Sequence, residues 1–91
     1  MSVDVSSIPG ISKKEALILQ LLLGHEHMYG LQMVHASKGR LKRGTVYVRL
    51  QRLEERGLVM SSLDSPPAYG PPRRQYRLTE LGGTAYAVFR A

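Results

Sequence analysis

The stretch from Gly44 to Arg56 constrains this fold more than any other part of the chain. Val46, Leu50 and Leu53 fall within about 60° of one another at 100° per residue, so they form a narrow stripe that must face a core. Thr45, Arg49, Arg52 and Arg56, spaced four, three and four residues apart, form a second stripe about a quarter-turn away. Tyr47 lies on the opposite flank beside Glu54, and Gly57 closes the segment. Such a helix is anchored along one edge and presents arginines along another.

The elements around it follow from local signals. Ser12 and Glu15 make a capping box that opens a first helix, with Ile11 and Ala16 as a weak staple across its start. Its body, Ala16 to Leu23, is apolar almost all round, which predicts cover on both sides; in a short chain the simplest second cover is a partner subunit. Gly24 marks the expected stop. A second helix is predicted from Tyr29 to Ser37, with Leu31, Met33 and Val34 as its apolar contribution and Gly39 as its end.

Beyond Gly57, Leu58–Leu63 and Arg74–Leu78 read as two strands, because Tyr76 and Leu78 alternate with Gln75 and Arg77. Four prolines stiffen the loop between them. Thr79 then caps a last helix carrying Leu81, Ala85, Tyr86, Val88 and Phe89. The expected organisation is a leader over residues 1–11 and one domain over 12–91. That domain is mainly α with a two-stranded β-hairpin, in the order helix, helix, helix, strand, strand, helix.

Composition narrows the function classes. The chain has 91 residues, 43% of them apolar, which suits one modest core. It has no cysteine, which excludes a disulfide scaffold, a thiol nucleophile and thiolate-ligated metal. No apolar run reaches the roughly 18–20 residues needed to cross a bilayer, and the start lacks a secretory pattern, so a cytoplasmic protein without a membrane partner is expected. The net charge of +6 belongs to the middle: Lys38 to Arg77 carries +7 and the remainder −1. A positive field concentrated in this way favours a polyanionic partner.

Three short helices followed by a two-stranded ribbon make the winged helix-turn-helix arrangement. A helix fits the major groove of DNA, and a ribbon reaches neighbouring phosphates or the minor groove. The third helix carries the arginine stripe and the ribbon carries Arg73 and Arg74, so the charged elements are those that have to meet DNA. The candidate contacts are Lys42, Arg43, Thr45, Tyr47, Arg49, Arg52, Tyr69, Arg73 and Arg74. Tyr47 suits packing under the wing or a phosphate contact equally. Arg56, near a helix C-terminus, reads as structural.

The same residues resemble a known family. Gly44-Thr45-Val46-Tyr47, then Leu50-Gln51-Arg52-Leu53-Glu54-Glu55-Arg56-Gly57-Leu58-Val59, then Arg74-Gln75-Tyr76-Arg77-Leu78-Thr79-Glu80-Leu81-Gly82 are similar to the motifs of the PadR-like transcriptional regulators. That hallmark runs Gly-Thr-Leu-Tyr-Pro, Leu-x-Arg-Leu-Glu-x-x-Gly-Leu, Tyr-x-Leu-Thr-x-x-Gly. The resemblance implies a repressor that dimerises through its first and last helices on a palindromic operator, with Leu17, Ile18, Leu21, Tyr86 and Phe89 at the dimer interface. The short last helix resembles the smaller subfamily, without a large effector domain. A small flat effector is what the family suggests, and a short last helix leaves little room for one between subunits.

Departures from the pattern carry information too. Lys42-Arg43 stands in place of the usual Ser-Pro, which removes a capping serine and puts two cations at the positive end of a helix. Phosphate docking there would reverse the sign of that cost. Val48 replaces the usual proline, and Leu31 stands where the family often has tyrosine.

Other classes fare less well. His25, His27 and His35 have no third ligand fixed by spacing, so they read as surface histidines; no metal or cofactor is expected. No phosphate loop, paired carboxylates or activated nucleophile supports an enzyme. The rival readings are a winged-helix adaptor or modulator meeting an acidic protein, and a single-strand binder, which would want aromatics interleaved with the cations.

Overall fold

The computed structural model describes residues 10–64 and 73–91. Its elements are α1 (Lys13–Leu23), β1 (Met28–Tyr29), α2 (Gly30–Ala36), α3 (Val46–Glu55), β2 (Val59–Leu63), β3 (Arg74–Leu78) and α4 (Glu80–Arg90). The Ser12–Glu15 capping box closes as expected: Ser12 Oγ accepts from the Glu15 amide at 3.1 Å and Glu15 Oε1 from the Ser12 amide at 2.8 Å. Thr79 Oγ1 likewise caps α4 by accepting from the Gly82 amide at 2.9 Å.

The sheet has three strands rather than the expected two. Its order is β1-β3-β2, antiparallel throughout, with Met28 opposite Tyr76 and Tyr29 opposite Gln75. Tyr29 therefore belongs to a strand, and α2 begins one residue later than predicted. A two-residue strand holds no alternation to read; the exposed edge of β3 decides it.

Val46, Leu50 and Leu53 are completely buried, and with Ile18, Leu19, Met33, Leu41 and Leu58 they form the centre of the core. α1 lies at its heart, packed against α2, α3, β3 and α4. Its all-round apolar character is thus satisfied mostly within the chain, which corrects the expectation of a partner as second cover. Ile18 has no exposed surface and Leu17 only 8%, so both lie in the core of the chain. Leu21 is half-buried, and Leu23 points outward with 53% of its surface exposed.

α3 ends in a complete left-handed cap. Gly57 takes φ +77°, the Leu58 amide donates to the Leu53 carbonyl at 2.9 Å, and the Gly57 amide donates to that of Glu54 at 2.9 Å. Leu53 and Leu58, which flank this cap, are both wholly buried. The cap turns the chain abruptly from α3 into β2 and so sets α3 beside the β2–β3 ribbon.

Candidate nucleic-acid interface

Three contacts fix how α3 is rotated. Its buried stripe faces the core. On one flank, Arg56 pairs with Glu15 of α1 at 3.2 Å and donates to the Gly10 carbonyl at 2.9 Å. On the other, Glu54 Oε2 accepts from the Ser61 hydroxyl at 2.7 Å and the Ser61 amide at 3.1 Å, tying the helix to β2. At 100° per residue Arg49 shares the Arg56 flank and Tyr47 the Glu54 flank. Val48 and Glu55 form the crest, about 180° from the core, and Gln51 and Arg52 border it on either side, each about 130° from the core.

The stripe arginines differ in role. Arg56 is engaged with α1 and is structural, in agreement with its reading from sequence. Arg52 is exposed and Arg49 half-buried, and among the described residues neither side chain has a hydrogen bond or ion pair. Lys42, Arg43 and Thr45 are exposed in the turn that leads into α3, where the Lys42 carbonyl accepts from the amides of Thr45 and Val46 at 3.1 and 2.9 Å. Thr45 is the N-cap of α3 but gives no side-chain hydrogen bond to its first turn; its hydroxyl instead lies 3.5 Å from the Lys42 carbonyl. The positive end of α3 is thus open, beside two exposed cations.

The wing arginines sit beyond the opposite flank. Arg74 Nη1 donates to Ser61 Oγ at 2.9 Å and so joins the chain Arg74–Ser61–Glu54. The Arg73 guanidinium lies 4.2 Å from the centre of the Tyr29 ring. The Tyr29 hydroxyl donates to Asp64, whose amide donates back to the Arg73 carbonyl at 2.7 Å. That hydrogen bond to Asp64 holds the Tyr29 phenol above the ordinary tyrosine range, against a weaker opposing pull from Arg73. Tyr69 lies outside the described residues.

Tyr47 packs against the first turn of α2. Its ring covers Gly30 so closely that a Cβ there would stand 2.6 Å from Tyr47 Cε1. Tyr47 remains 44% exposed and, with Tyr29, Leu31, Gln32, Arg73 and Arg74, lines a groove of about 460 Å³ between α2, α3 and the wing. The four arginines thus straddle α3 and do not crowd one stripe. Two lie on each side of an outward crest, the arrangement a helix needs if it is to enter a groove walled by two phosphate strands.

Sequence reasoning did not single out that crest, although its own helical arithmetic contains it. It also missed the supports of the wing, namely Tyr29, Ser61, Glu54 and Asp64, which meet only in three dimensions. The histidines line one shallow depression with Met28 and Gln32, and among the described residues no three ligating side chains gather to hold a metal. No described helix is long and apolar enough to cross a membrane.

Comparison with known proteins agrees with this architecture. Among curated proteins, none matches the chain. A PadR family transcription regulator from Clostridium difficile has a similar structure, with 27% identity and a TM-score of 0.76 over 87% of this chain and 84% of that one. A PadR family transcriptional regulator from Eggerthella lenta is 30% identical, with a TM-score of 0.72 over 85% of this chain and 68% of that one. Bacillus subtilis PadR, solved in complex with operator DNA, shares the fold at 18% identity, with a TM-score of 0.78 over 86% of this chain and 46% of that one. The model of the transcriptional regulator PadR-like family matches residues 18–88, most of the chain. The chain therefore belongs to the PadR-like family of transcriptional regulators, a family of regulators and not of enzymes.

Proposed function

We propose that this chain is a sequence-specific double-stranded DNA-binding repressor that acts as a homodimer. The observation that carries the reading is the straddled crest: α3 is gripped by the core along one edge, with unpaired Arg49 and Arg52 on one side and the wing arginines beyond the other. In the proposed complex α3 enters the major groove. Arg49, Arg52 and Tyr47 meet phosphates along its walls, Lys42, Arg43 and Thr45 meet a phosphate at its N-terminus, and Arg73 and Arg74 meet the neighbouring backbone or minor groove. The operator complex of Bacillus subtilis PadR, which has the same fold, supports this reading.

A fluorescence titration on duplex DNA at several salt concentrations tests it. The log of the binding constant should fall linearly with the log of salt, at about −0.9 per phosphate neutralised. A flat response, or binding confined to an acidic protein, would replace the reading by the adaptor one.

The homodimer is proposed to form through the outer surfaces of α1 and α4. Leu23, Val88 and Phe89 are 53%, 41% and 42% exposed there, and Leu21 and Tyr86 are half-buried. Two copies related by a two-fold axis would address half-sites roughly one helical turn, about 34 Å, apart. Phe89→Asp should shift the chain from dimer to monomer in sedimentation equilibrium without changing its circular dichroism. A variant that sediments like the native chain would remove α4 from the interface.

A further inference from the structure

We propose that Val48, on the outward crest of α3, and Gln51, bordering it, are the base-reading residues of this chain, selecting a thymine and a neighbouring adenine in the major groove. The inference rests on the duplex-DNA reading above and adds the identity of the bases. Arg56 held by α1, Glu54 held by β2 and Tyr47 laid over Gly30 together leave α3 little freedom to roll. What faces away from the core is then settled: Val48 and Glu55 at the crest, bordered by Gln51 on the Tyr47 side and Arg52 on the Arg49 side.

The chemistry of the crest follows from its side chains. Val48 is 49% exposed, an apolar side chain in the midst of a cationic surface. In the major groove thymine alone presents an apolar group, its C5-methyl, and the valine methyls match it. Gln51 lies three residues on, and its amide both donates and accepts, as adenine N6 and N7 require. At about 1.5 Å per residue the two side chains stand about 4.5 Å apart along the helix, close to the spacing of about 3.4 Å between stacked base pairs. They therefore reach neighbouring pairs. The Gln51 amide now donates to Glu55 at 3.4 Å, a long bond on an exposed surface that is readily exchanged for a base edge.

The cations do not compete for this role. Arg49 lies on a flank, Arg52 borders the crest on that same side and away from Gln51, Arg74 is tied to Ser61, and Arg73 rests on the Tyr29 ring. All four are placed for the walls of the groove, where contacts set position without reading sequence.

The test uses the full chain and the duplex it selects from a random pool. Each thymine of the recovered half-site is replaced in turn by deoxyuridine, which pairs identically and lacks the methyl. One position should weaken binding of the native chain about fourfold, the worth of one buried methyl, and should have no effect on binding of Val48→Ala. At the adjoining pair, an adenine preference of about tenfold should fall to near unity in Gln51→Ala. Both sites are exposed, so both variants should keep the native circular dichroism. If no deoxyuridine matters to the native chain, if Val48→Ala responds as the native chain does, or if Gln51→Ala keeps its adenine preference, the assignment is overturned while the duplex reading stands. If the native chain shows no salt-dependent duplex binding, both are overturned.

Discussion

Gly82→Ala is expected to lower the melting temperature by about 12 °C or more, a loss of about 3 kcal/mol in a domain of this size. Gly82 lies in the first turn of α4, where the helix meets the corner between α3 and β2. A Cβ at that position would stand 2.0 Å from the Leu58 carbonyl oxygen, 2.8 Å from Leu78 Cδ1 and 3.0 Å from the Leu58 carbonyl carbon. Two of these atoms are backbone and cannot swing aside.

Relief would require α4 to back away from the corner. That movement breaks the hydrogen bond from the Thr79 amide to the Leu58 carbonyl at 3.2 Å and the one from the Thr79 hydroxyl to the Gly57 carbonyl at 2.7 Å. It also uncovers Leu58, which is fully buried. Alanine is the better helix former by about 1 kcal/mol, so the steric term must exceed that gain to win. Gly83→Ala separates the two effects, because a Cβ there meets nothing nearer than Leu78 Cδ2 at 3.8 Å. It should gain stability where its neighbour loses it. Urea unfolding followed by circular dichroism measures both, and a Gly82→Ala chain as stable as the native one would contradict the close approach.

The second large effect concerns binding and not stability. Arg49→Ala and Arg52→Ala should each make the salt dependence of duplex binding shallower by about 0.9 in log–log slope. Between 1 M and 0.1 M salt such a slope is worth about eightfold in affinity, so the double variant should lose about sixtyfold over that range. The loss should be nearly the same on any duplex, because a phosphate contact carries no base information. Arg56→Ala is the informative contrast. Its guanidinium is held by Glu15 and the Gly10 carbonyl, so this change should lower stability and leave the slope unaltered. Unchanged slopes in the Arg49 and Arg52 variants would move the binding surface elsewhere.

How much of this was readable from residues alone depends on the range of the interaction. α3 was legible because both its stripes lie within twelve residues and obey one period: Val46, Leu50 and Leu53 are as buried as their spacing demands. The caps at Ser12, Gly57 and Thr79 were legible for the same reason, each being closed by atoms a few positions away. β1 was not, since Met28 and Tyr29 become a strand only when β3, far along the chain, offers them an edge.

The candidate site divides along the same line. The residue types and the helix that bears them could be read in order. The partners that aim them could not: Gly30 under Tyr47, Ser61 between Arg74 and Glu54, and Tyr29 beneath Arg73 join segments that only folding brings together. The apolar girth of α1 misled for a related reason. Hydropathy reports that a face is covered but not by what, and here the chain's own α4, sheet and helices cover most of it.

The two-residue pairing of β1 with β3 has a mechanical consequence. It stitches the entrance of α2 to the central strand of the wing, so the ribbon's base has no hinge of its own. A tilt of these strands would drag the helix whose glycine seats the Tyr47 ring, and Tyr47 belongs to α3. α3 and the ribbon base are therefore mechanically coupled, and under the proposed duplex-binding reading little ordering entropy would remain to be lost on binding.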